Sequence, residues 1–140
     1  MNKINSIKKI KLLTFNNKKG KVLRAFRKKE NKIGMFGEVY LSWINKNVIK
    51  GWKLHKKMKM NLVVPIGLVK FVFYENNKFH QIIIGEKQYY RIYVPNQIYF
   101  AFQNLSEKKS LVINYSNIIH KNKGETINKT LKEIRYQWKK

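Results

Sequence analysis

The sequence predicts an all-β fold of the jelly-roll kind with a short C-terminal helix. Short segments rich in Val, Ile, Tyr and Phe recur along the chain. Turn residues separate these segments at spacings of roughly 8–12 residues, which is typical of a sandwich or barrel. Hydrophobic residues make up 44% of the sequence, which is enough for a packed core. For a chain of 140 residues, we expect one domain over residues 1–140.

The first third of the chain predicts strands interrupted by turns. Residues 8–15 are rich in strand formers. Residues 16–20 (NNKKG) suit a turn because Asn and Gly tolerate left-handed backbone conformations. Residues 21–29 fit either a strand or a helix. Residues 37–44 (GEVYLSWI) alternate two sets of side chains, as expected of a strand whose two faces differ.

The central part continues as strands, and the C-terminal end changes its pattern. The further predicted strands are residues 48–55, 61–64, 68–75, 79–85, 89–95, 98–104 and 111–119. Beyond them, apolar residues recur at helical spacing. These residues are Ile127, Leu131, Ile134 and Trp138. Thr130 and Glu133 also have capping-box spacing, so we expect a short amphipathic helix packed against the sheet.

The composition excludes several classes of protein. The chain has no cysteine, which rules out a disulfide framework, a thiolate nucleophile and a cysteine-containing zinc site. Its N-terminus is too charged for a secretory signal, and no apolar run approaches the roughly 20 residues of a membrane span. We therefore expect a soluble cytoplasmic protein.

The charge is strongly positive, with 31 Lys and Arg against 7 acidic residues and a net charge of +24. Such a balance favours a nucleic-acid-binding module. The lysines are spread along the whole chain, however, and accompany many Asn, Ile, Tyr and Phe residues, as expected of an A+T-rich genome. We interpret most of the charge as solvated surface that attracts anionic ligands of any kind, and nucleic acid is not our favoured partner.

The segment KGWKLHKKMKMNLVVPIG, residues 50–67, contains the most informative polar residue, His55. Nearby lysines favour a neutral imidazole, which can accept a proton. A structural histidine that lines the interior is the alternative. A metal site is disfavoured, because His55 has Leu54 and Lys56 as neighbours and no acidic residue follows before Glu75.

A set of segments in fixed order carries a family resemblance. The segments are FGEVYLSWINKNVIKGWKLHKKM, a strand ending in Pro-x-Gly, LVKFVFYE, YYRIYVPNQIYFAFQNLS and LVINYSNII. Val94, Pro95, Phe102 and Asn104 fit a V/I-P-x-x-x-x-x-x-F-x-N signature. Over roughly residues 10–138 the chain resembles the dTDP-4-dehydrorhamnose 3,5-epimerase superfamily, and its epimerase-like branch in particular.

The resemblance implies a fold and a reaction. The fold would be a cupin, a small β-jelly-roll, that forms a homodimer and uses neither a metal nor another cofactor. The enzyme would act on a dTDP-4-keto-6-deoxy sugar in surface-polysaccharide synthesis. A base removes the proton next to the ketone, an enolate forms, and the proton returns on the opposite face. Related cupins move the ketone between C3 and C4 instead.

The resemblance also implies site residues. His55 matches the base, and Lys50 stands where the family has an Arg that binds the anionic substrate. Asn61 stands where the family has a Lys that stabilises the enolate oxygen, and Lys59 is a possible substitute. The proton-returning Tyr aligns with Ile113, so Tyr115, two residues on and on the same strand face, is our candidate.

Aromatic residues and two departures from the family pattern complete the prediction. Trp52 and Tyr99, with Tyr93 and Phe100, are candidates to stack on a nucleotide base. The family orients its base with an Asp. This chain has none, and Glu125 could take that role. Phe100, Ala101 and Phe102 occupy a stretch where the family has a His.

Three functions therefore stay open at the level of the sequence. The first is the epimerase or ketoisomerase. The second is a catalytically degenerate cupin that binds a nucleotide-sugar without turnover, which the missing Asp, Lys and Tyr favour. The third is the nucleic-acid-binding module, which rests on charge alone.

Overall fold

The computed structural model describes residues 2–30, 32–120 and 124–138. Within these ranges a 3₁₀ helix at Lys3–Ser6 precedes twelve β-strands. The strands are β1 (Lys8–Lys11), β2 (Thr14–Asn17), β3 (Gly20–Leu23), β4 (Glu38–Ile44), β5 (Ile49–His55), β6 (Met60–Ile66), β7 (Leu68–Glu75), β8 (Lys78–Gly85), β9 (Tyr90–Val94), β10 (Tyr99–Asn104), β11 (Ser110–Ser116) and β12 (Thr126–Lys129).

Ten of these strands form two five-stranded sheets. The first sheet has the order β1-β9-β6-β11-β4, and the second has the order β12-β5-β10-β7-β8. All strand pairs in both sheets are antiparallel. Most neighbouring strands are not consecutive in sequence, so the chain crosses repeatedly between the sheets. The jelly-roll predicted from the sequence is confirmed. Strands β2 and β3 form a separate hairpin.

The core lies between the inner faces of the two sheets. Alternate residues of β6 and β7 supply much of it, namely Met60, Leu62, Val64, Phe71 and Phe73. Fully burying an apolar side chain of this size stabilises the fold by roughly 1.5–3 kcal/mol. Polar side chains replace apolar ones at a few inner-face positions of β4, β5 and β11, and there the core gives way to a cavity.

A β-bulge in β5 decides which of its residues face this cavity. Against β10, Lys53 is opposite Phe100 and Lys50 is opposite Phe102, so β5 carries one extra residue between these pairs. Side chains of a regular strand alternate between its faces, and the extra residue shifts that alternation by one. Lys50 and His55, five positions apart, consequently both line the cavity.

The predicted C-terminal helix was wrong. Thr126–Lys129 form β12, which pairs with β5 and places Thr126 opposite His55. Thr130 and Glu133 do form a capping box, with each backbone N–H donating to the other's side chain over 3.2 Å. The turn that they cap ends at once and does not continue as a helix.

After this turn, large apolar side chains recur at every second residue. Ile134, Tyr136 and Trp138 lie on one side of an extended chain and pack with Trp52 on the outer face of the second sheet. The open edge of β5 and this alternating apolar pattern together outweigh the helical spacing that the sequence also contains.

The N-terminal predictions need smaller changes. Residues 8–15 do not form one continuous strand. Strand β1 pairs with β9 as far as Lys11, and the Leu12 N–H then donates to the Tyr89 carbonyl over 3.3 Å. The second strand, β2, begins at Thr14. The strand alternative for residues 21–29 holds only as far as Leu23, where β3 ends. In the part of the chain that the structure describes, no helix is long and apolar enough to cross a membrane.

Candidate active site

Polar and apolar side chains together line the cavity between the sheets. Its polar side chains are Tyr40, Ser42, Lys50, Lys53, His55, Asn114 and His120. Its apolar side chains include Met60, Phe100 and Phe102. A small number of convergent polar groups in an otherwise apolar cavity is the usual composition of a ligand site.

His55 is the buried titratable group of this cavity, with 4% of its surface exposed. Its Nδ1 lies 3.2 Å from the Thr126 hydroxyl and 3.6 Å from Oε1 of Glu125. The Phe100 ring stacks on the imidazole with a centroid separation of 5.6 Å. A carboxylate accepts hydrogen bonds only, so this arrangement favours a proton on Nδ1 and a lone pair on Nε2.

The surroundings of His55 keep the imidazole neutral. Burial lowers the pKa of His55 from 6.5 to about 4, with smaller contributions in the same direction from His120 and Lys53. Glu125 opposes this shift. At neutral pH His55 is therefore in its proton-accepting form.

We expect this pKa to appear in the pH dependence of stability. The unfolded chain protonates His55 near pH 6.5, whereas the folded chain does so near pH 4, so the free energy of unfolding falls as pH drops between these values. The loss is on the order of 3 kcal/mol. Urea denaturation at several pH values would measure it, and His55→Asn should flatten the curve by that amount. An equal pH dependence in the variant would contradict the shift.

Glu125 is held in place by backbone donors. The N–H of Met58 donates to its Oε1 over 2.9 Å, and the N–H of Lys57 donates to its Oε2 over 3.1 Å. The side chain is buried beside His55. Glu125 thus connects β12 to the turn after β5 and lies beside His55, the position that the sequence analysis considered for it.

Tyr40 and Asn114 form a second polar group on the first sheet. They are paired across β4 and β11, and the Asn114 Nδ2 donates to the Tyr40 hydroxyl over 2.8 Å. The hydroxyl itself donates to the Met58 sulfur over 3.9 Å, a weak acceptor that a ligand oxygen would replace easily. Burial raises the pKa of Tyr40, so its phenol stays protonated and able to donate.

His120 follows β11 and lies at the exposed side of the cavity. Its ring is edge-on to both the His55 ring and the Tyr40 ring, with centroid separations of 6.0 Å in each case. Its backbone N–H donates to Oε1 of Glu38 over 2.9 Å.

Sequence reasoning missed Tyr40, Asn114 and His120. For the first two, a usable signal was the alternation in β4 and β11 that places polar residues on the inner face.

Of the residues predicted for the site, the structure brings three together in the cavity, His55, Lys50 and Phe100. The Lys50 Nζ lies 5.9 Å from the centroid of the Phe102 ring. Lys53, which the sequence analysis did not select, lines the same cavity. The two lysines give the site a positive charge without a bidentate guanidinium.

Trp52 and Tyr99 lie on the outer face of the second sheet, outside the cavity. Trp52 is 1% exposed and its indole N–H donates to the Ile134 carbonyl over 3.0 Å. Tyr99 packs in the same outer cluster, and the Lys129 Nζ lies over its ring at 5.3 Å. The C-terminal segment therefore packs on the outer face that carries Trp52 and Tyr99, two of the residues that the sequence analysis considered for stacking on a nucleotide base.

Tyr115, Asn61 and Lys59 are also outside the cavity. The Tyr115 ring packs against Phe26 and Phe36 at centroid separations of 5.1 and 5.6 Å. Asn61 is buried, where its side chain accepts a hydrogen bond from Arg91 and donates to the Lys32 carbonyl. Lys59 lines a separate depression next to Asn61.

The alternation along β11 explains the position of Tyr115. Val112 and Asn114 line the cavity, so Ile113 and Tyr115 point to the outer face of the first sheet. Tyr115 and Ile113 do share a strand face, but it is the face away from the cavity.

Among the described residues, no three His, Cys, Asp or Glu side chains cluster as metal ligands do. The donor chemistry of the cavity is also unusual for a divalent cation, because Lys50 and Lys53 place positive charge beside its histidines.

Residues 5–129 match the family described as FdtA: WxcM-like, C-terminal. The chain belongs to this family. Its matched region spans β1 to β12 and so contains the whole cavity. No curated protein matches the chain.

Solved structures share the fold of this chain. A dTDP sugar isomerase from Desulfovibrio desulfuricans G20 is 25% identical with a TM-score of 0.88, and the match covers 94% of this chain and 90% of that one. The epimerase RmlC from Legionella pneumophila, solved with dTDP-4-keto-L-rhamnose, is 14% identical with a TM-score of 0.77, covering 91% and 74%. The sugar 3,4-ketoisomerase QdtA from Thermoanaerobacterium thermosaccharolyticum, solved with TDP, is 18% identical with a TM-score of 0.69, covering 86% of both chains. The resemblance to the epimerase superfamily is confirmed.

Proposed function

We propose that this protein is an isomerase that acts on a dTDP-4-keto-6-deoxy sugar by removing a proton next to the ketone. The observation that carries the proposal is the buried, neutral His55 held by Glu125 and Thr126 in the cavity. The Desulfovibrio relative, a dTDP sugar isomerase, supports the substrate class.

The first step is removal of a carbon-bound proton. The lone pair on Nε2 of His55 takes the proton beside the ketone, the C–H electron pair forms a C=C bond, and the ketone oxygen becomes an enolate. His55 turns into an imidazolium in this step. The nearby Glu125 carboxylate stabilises that positive charge and fixes the proton on Nδ1.

The enolate oxygen needs donors that are in place before the reaction. The phenol of Tyr40 is kept protonated by burial, and its present acceptor is a weak thioether sulfur. A ketone oxygen at this position would accept a hydrogen bond from the Tyr40 hydroxyl. This bond would strengthen as negative charge develops on the oxygen. Asn114 orients the phenol through its 2.8 Å hydrogen bond.

The charge of the cavity suits the nucleotide part of the substrate. Lys50 and Lys53 bring two positive charges to a site that would receive a diphosphate. The net charge of +24 adds a long-range attraction for such an anion.

Incubation with dTDP-4-keto-6-deoxyglucose, followed by proton NMR, tests the proposal. New sugar signals at catalytic protein concentrations would support an isomerase, and their coupling constants would distinguish an inverted centre from a ketone moved to C3. Calorimetric binding of dTDP without any new sugar would support the degenerate cupin and overturn the isomerase.

We propose in addition that catalysis needs no metal, since His55 supplies the base and Tyr40 the oxygen donor. Overnight treatment with EDTA followed by gel filtration should leave kcat within about twofold of the untreated enzyme. A large loss of activity that Mg²⁺ or Zn²⁺ restores would contradict this prediction.

A homodimer is proposed from the outer face of the edge strand β4. Val39, Leu41 and Trp43 are 39%, 58% and 54% exposed there. An apolar stripe on a sheet edge favours pairing with a second chain. Analytical ultracentrifugation should show a dimer that Leu41→Glu converts to a monomer, whereas Leu13→Glu, at an exposed apolar site elsewhere, should leave it intact. A wild-type monomer at micromolar concentration would contradict the proposal.

We also propose a cytoplasmic location and a role in surface-polysaccharide synthesis. The support is the sugar-nucleotide chemistry of the relatives with known structures.

A further inference from the structure

We propose that His120 is a second acid–base group of this cavity, which returns a proton to the reacting sugar carbon after His55 has removed one. The inference rests on the proposed function. It assigns the role of proton donor to His120, because Tyr115 lies on the outer face of its sheet and does not line the cavity.

The position of His120 is the first argument. Its ring is edge-on to His55 at 6.0 Å and edge-on to Tyr40 at 6.0 Å. It therefore stands beside both the base and the proposed oxygen donor. All three side chains line the same cavity, and His55 and His120 are the two histidines that do so among the described residues.

The anchoring of His120 is the second argument. Its backbone N–H donates to the Glu38 carboxylate over 2.9 Å, and Glu38 begins β4 two residues before Tyr40. The residue itself is exposed, whereas His55 is 4% exposed. A group with a fixed backbone and a solvent-accessible ring can regain a proton from water after each turnover.

The different surroundings of the two rings suit them to opposite roles. A positive charge on His120 adds to burial in lowering the pKa of His55, so His55 is the neutral, proton-accepting ring of the two. Two titratable groups in different surroundings can divide the roles of base and acid, and here the buried ring is His55 and the exposed residue is His120. Tyr40, whose phenol burial keeps protonated, suits a hydrogen bond to the enolate oxygen better than full proton transfer.

The proposed step balances as follows. The imidazolium of His120 gives its N–H proton to the enolate carbon, the C=C electron pair forms the new C–H bond, and the enolate oxygen becomes a ketone again. His120 ends neutral and is reprotonated by solvent, while His55 releases its proton to solvent. In the reverse direction the two histidines exchange roles.

Product formation and deuterium uptake in heavy water separate the two histidines. In His120→Ala, His55 still removes and returns a proton on one face, so recovered dTDP-4-keto-6-deoxyglucose should gain deuterium while product formation falls roughly 10²–10⁴-fold. In His55→Ala both should be lost. Free imidazole should restore product formation in His120→Ala, because this site is exposed, and should not restore it in the buried His55→Ala.

His80→Ala is the matched control, since His80 is an exposed histidine on β8 away from the cavity. His120→Gln keeps the size of the side chain and serves if His120→Ala unfolds. An active wild-type enzyme with an unchanged ratio of product to exchange in both His120 variants would overturn the inference and leave the proposed function standing. A wild-type protein with neither exchange nor product would overturn both.

Discussion

Replacing His55 by Asn is expected to lower kcat roughly 10²–10⁴-fold, the usual effect of removing a general base. Asn keeps a polar side chain that can accept a hydrogen bond from Thr126, but it cannot take a proton from carbon. Because the proposed mechanism places the sugar, and not the nucleotide, at His55, calorimetric affinity for dTDP should stay within about threefold. Product formation followed by NMR gives kcat.

His80→Asn is the control for this change, because it removes an exposed histidine of the same chain and should leave kcat unaltered. If His55→Asn retained more than about a tenth of wild-type activity while folded, another group would be the base. A loss of dTDP affinity equal to the loss of kcat would mean that His55 binds substrate and does no proton chemistry.

Replacing Glu125 by Gln is expected to lower kcat roughly 10²-fold with the fold intact. The Gln carbonyl oxygen can still accept from the Lys57 or Met58 N–H, so the turn after β5 keeps a partner. The amide can also donate to Nδ1 of His55, which would move the imidazole proton to Nε2 and remove the lone pair that acts as base.

Nitrogen-15 NMR of the histidine rings distinguishes this positioning role from a structural one. The wild-type spectrum should show His55 protonated on Nδ1, and Glu125→Gln should show a population protonated on Nε2. Glu107→Gln, at an exposed ion pair with Lys46, is the matched control and should change neither kcat nor the spectrum. Wild-type kcat in Glu125→Gln would contradict the role.

The sequence predicted the strands of this protein well because their signal is local. Alternating side chains and Asn- or Gly-containing turns mark β4 to β11 with small errors at their ends. The C-terminal segment misled the prediction because its apolar residues fit two periods. Only the open edge of β5, a property of the assembled sheet, selects the extended form for residues 126–129.

The site was harder to predict because it depends on which face each side chain occupies. His55 was found from its chemical type and its lysine neighbours. Lys50 shares its face only through the bulge in β5, and the resemblance, not the spacing, pointed to it. Tyr115 was chosen because it lies two residues after Ile113 on the same strand face. That face of β11 points away from the cavity.

No periodic pattern in the sequence marked His120, because it lies in the irregular segment that comes after β11 ends at Ser116. Glu125 shows the same limitation. Its contact with His55 spans 70 positions of the chain and depends on the pairing of β12 with β5. Contacts of this kind arise from topology, which spacing along the chain does not encode.

The most direct test of the central claim is deuterium uptake from heavy water into dTDP-4-keto-6-deoxyglucose, followed by NMR at C3 and C5. If His55 removes a proton next to the ketone, the wild-type protein will exchange at one or both carbons and His55→Asn will exchange at neither. Exchange that persists in folded His55→Asn, or none in a wild-type protein that binds the substrate, would contradict the account.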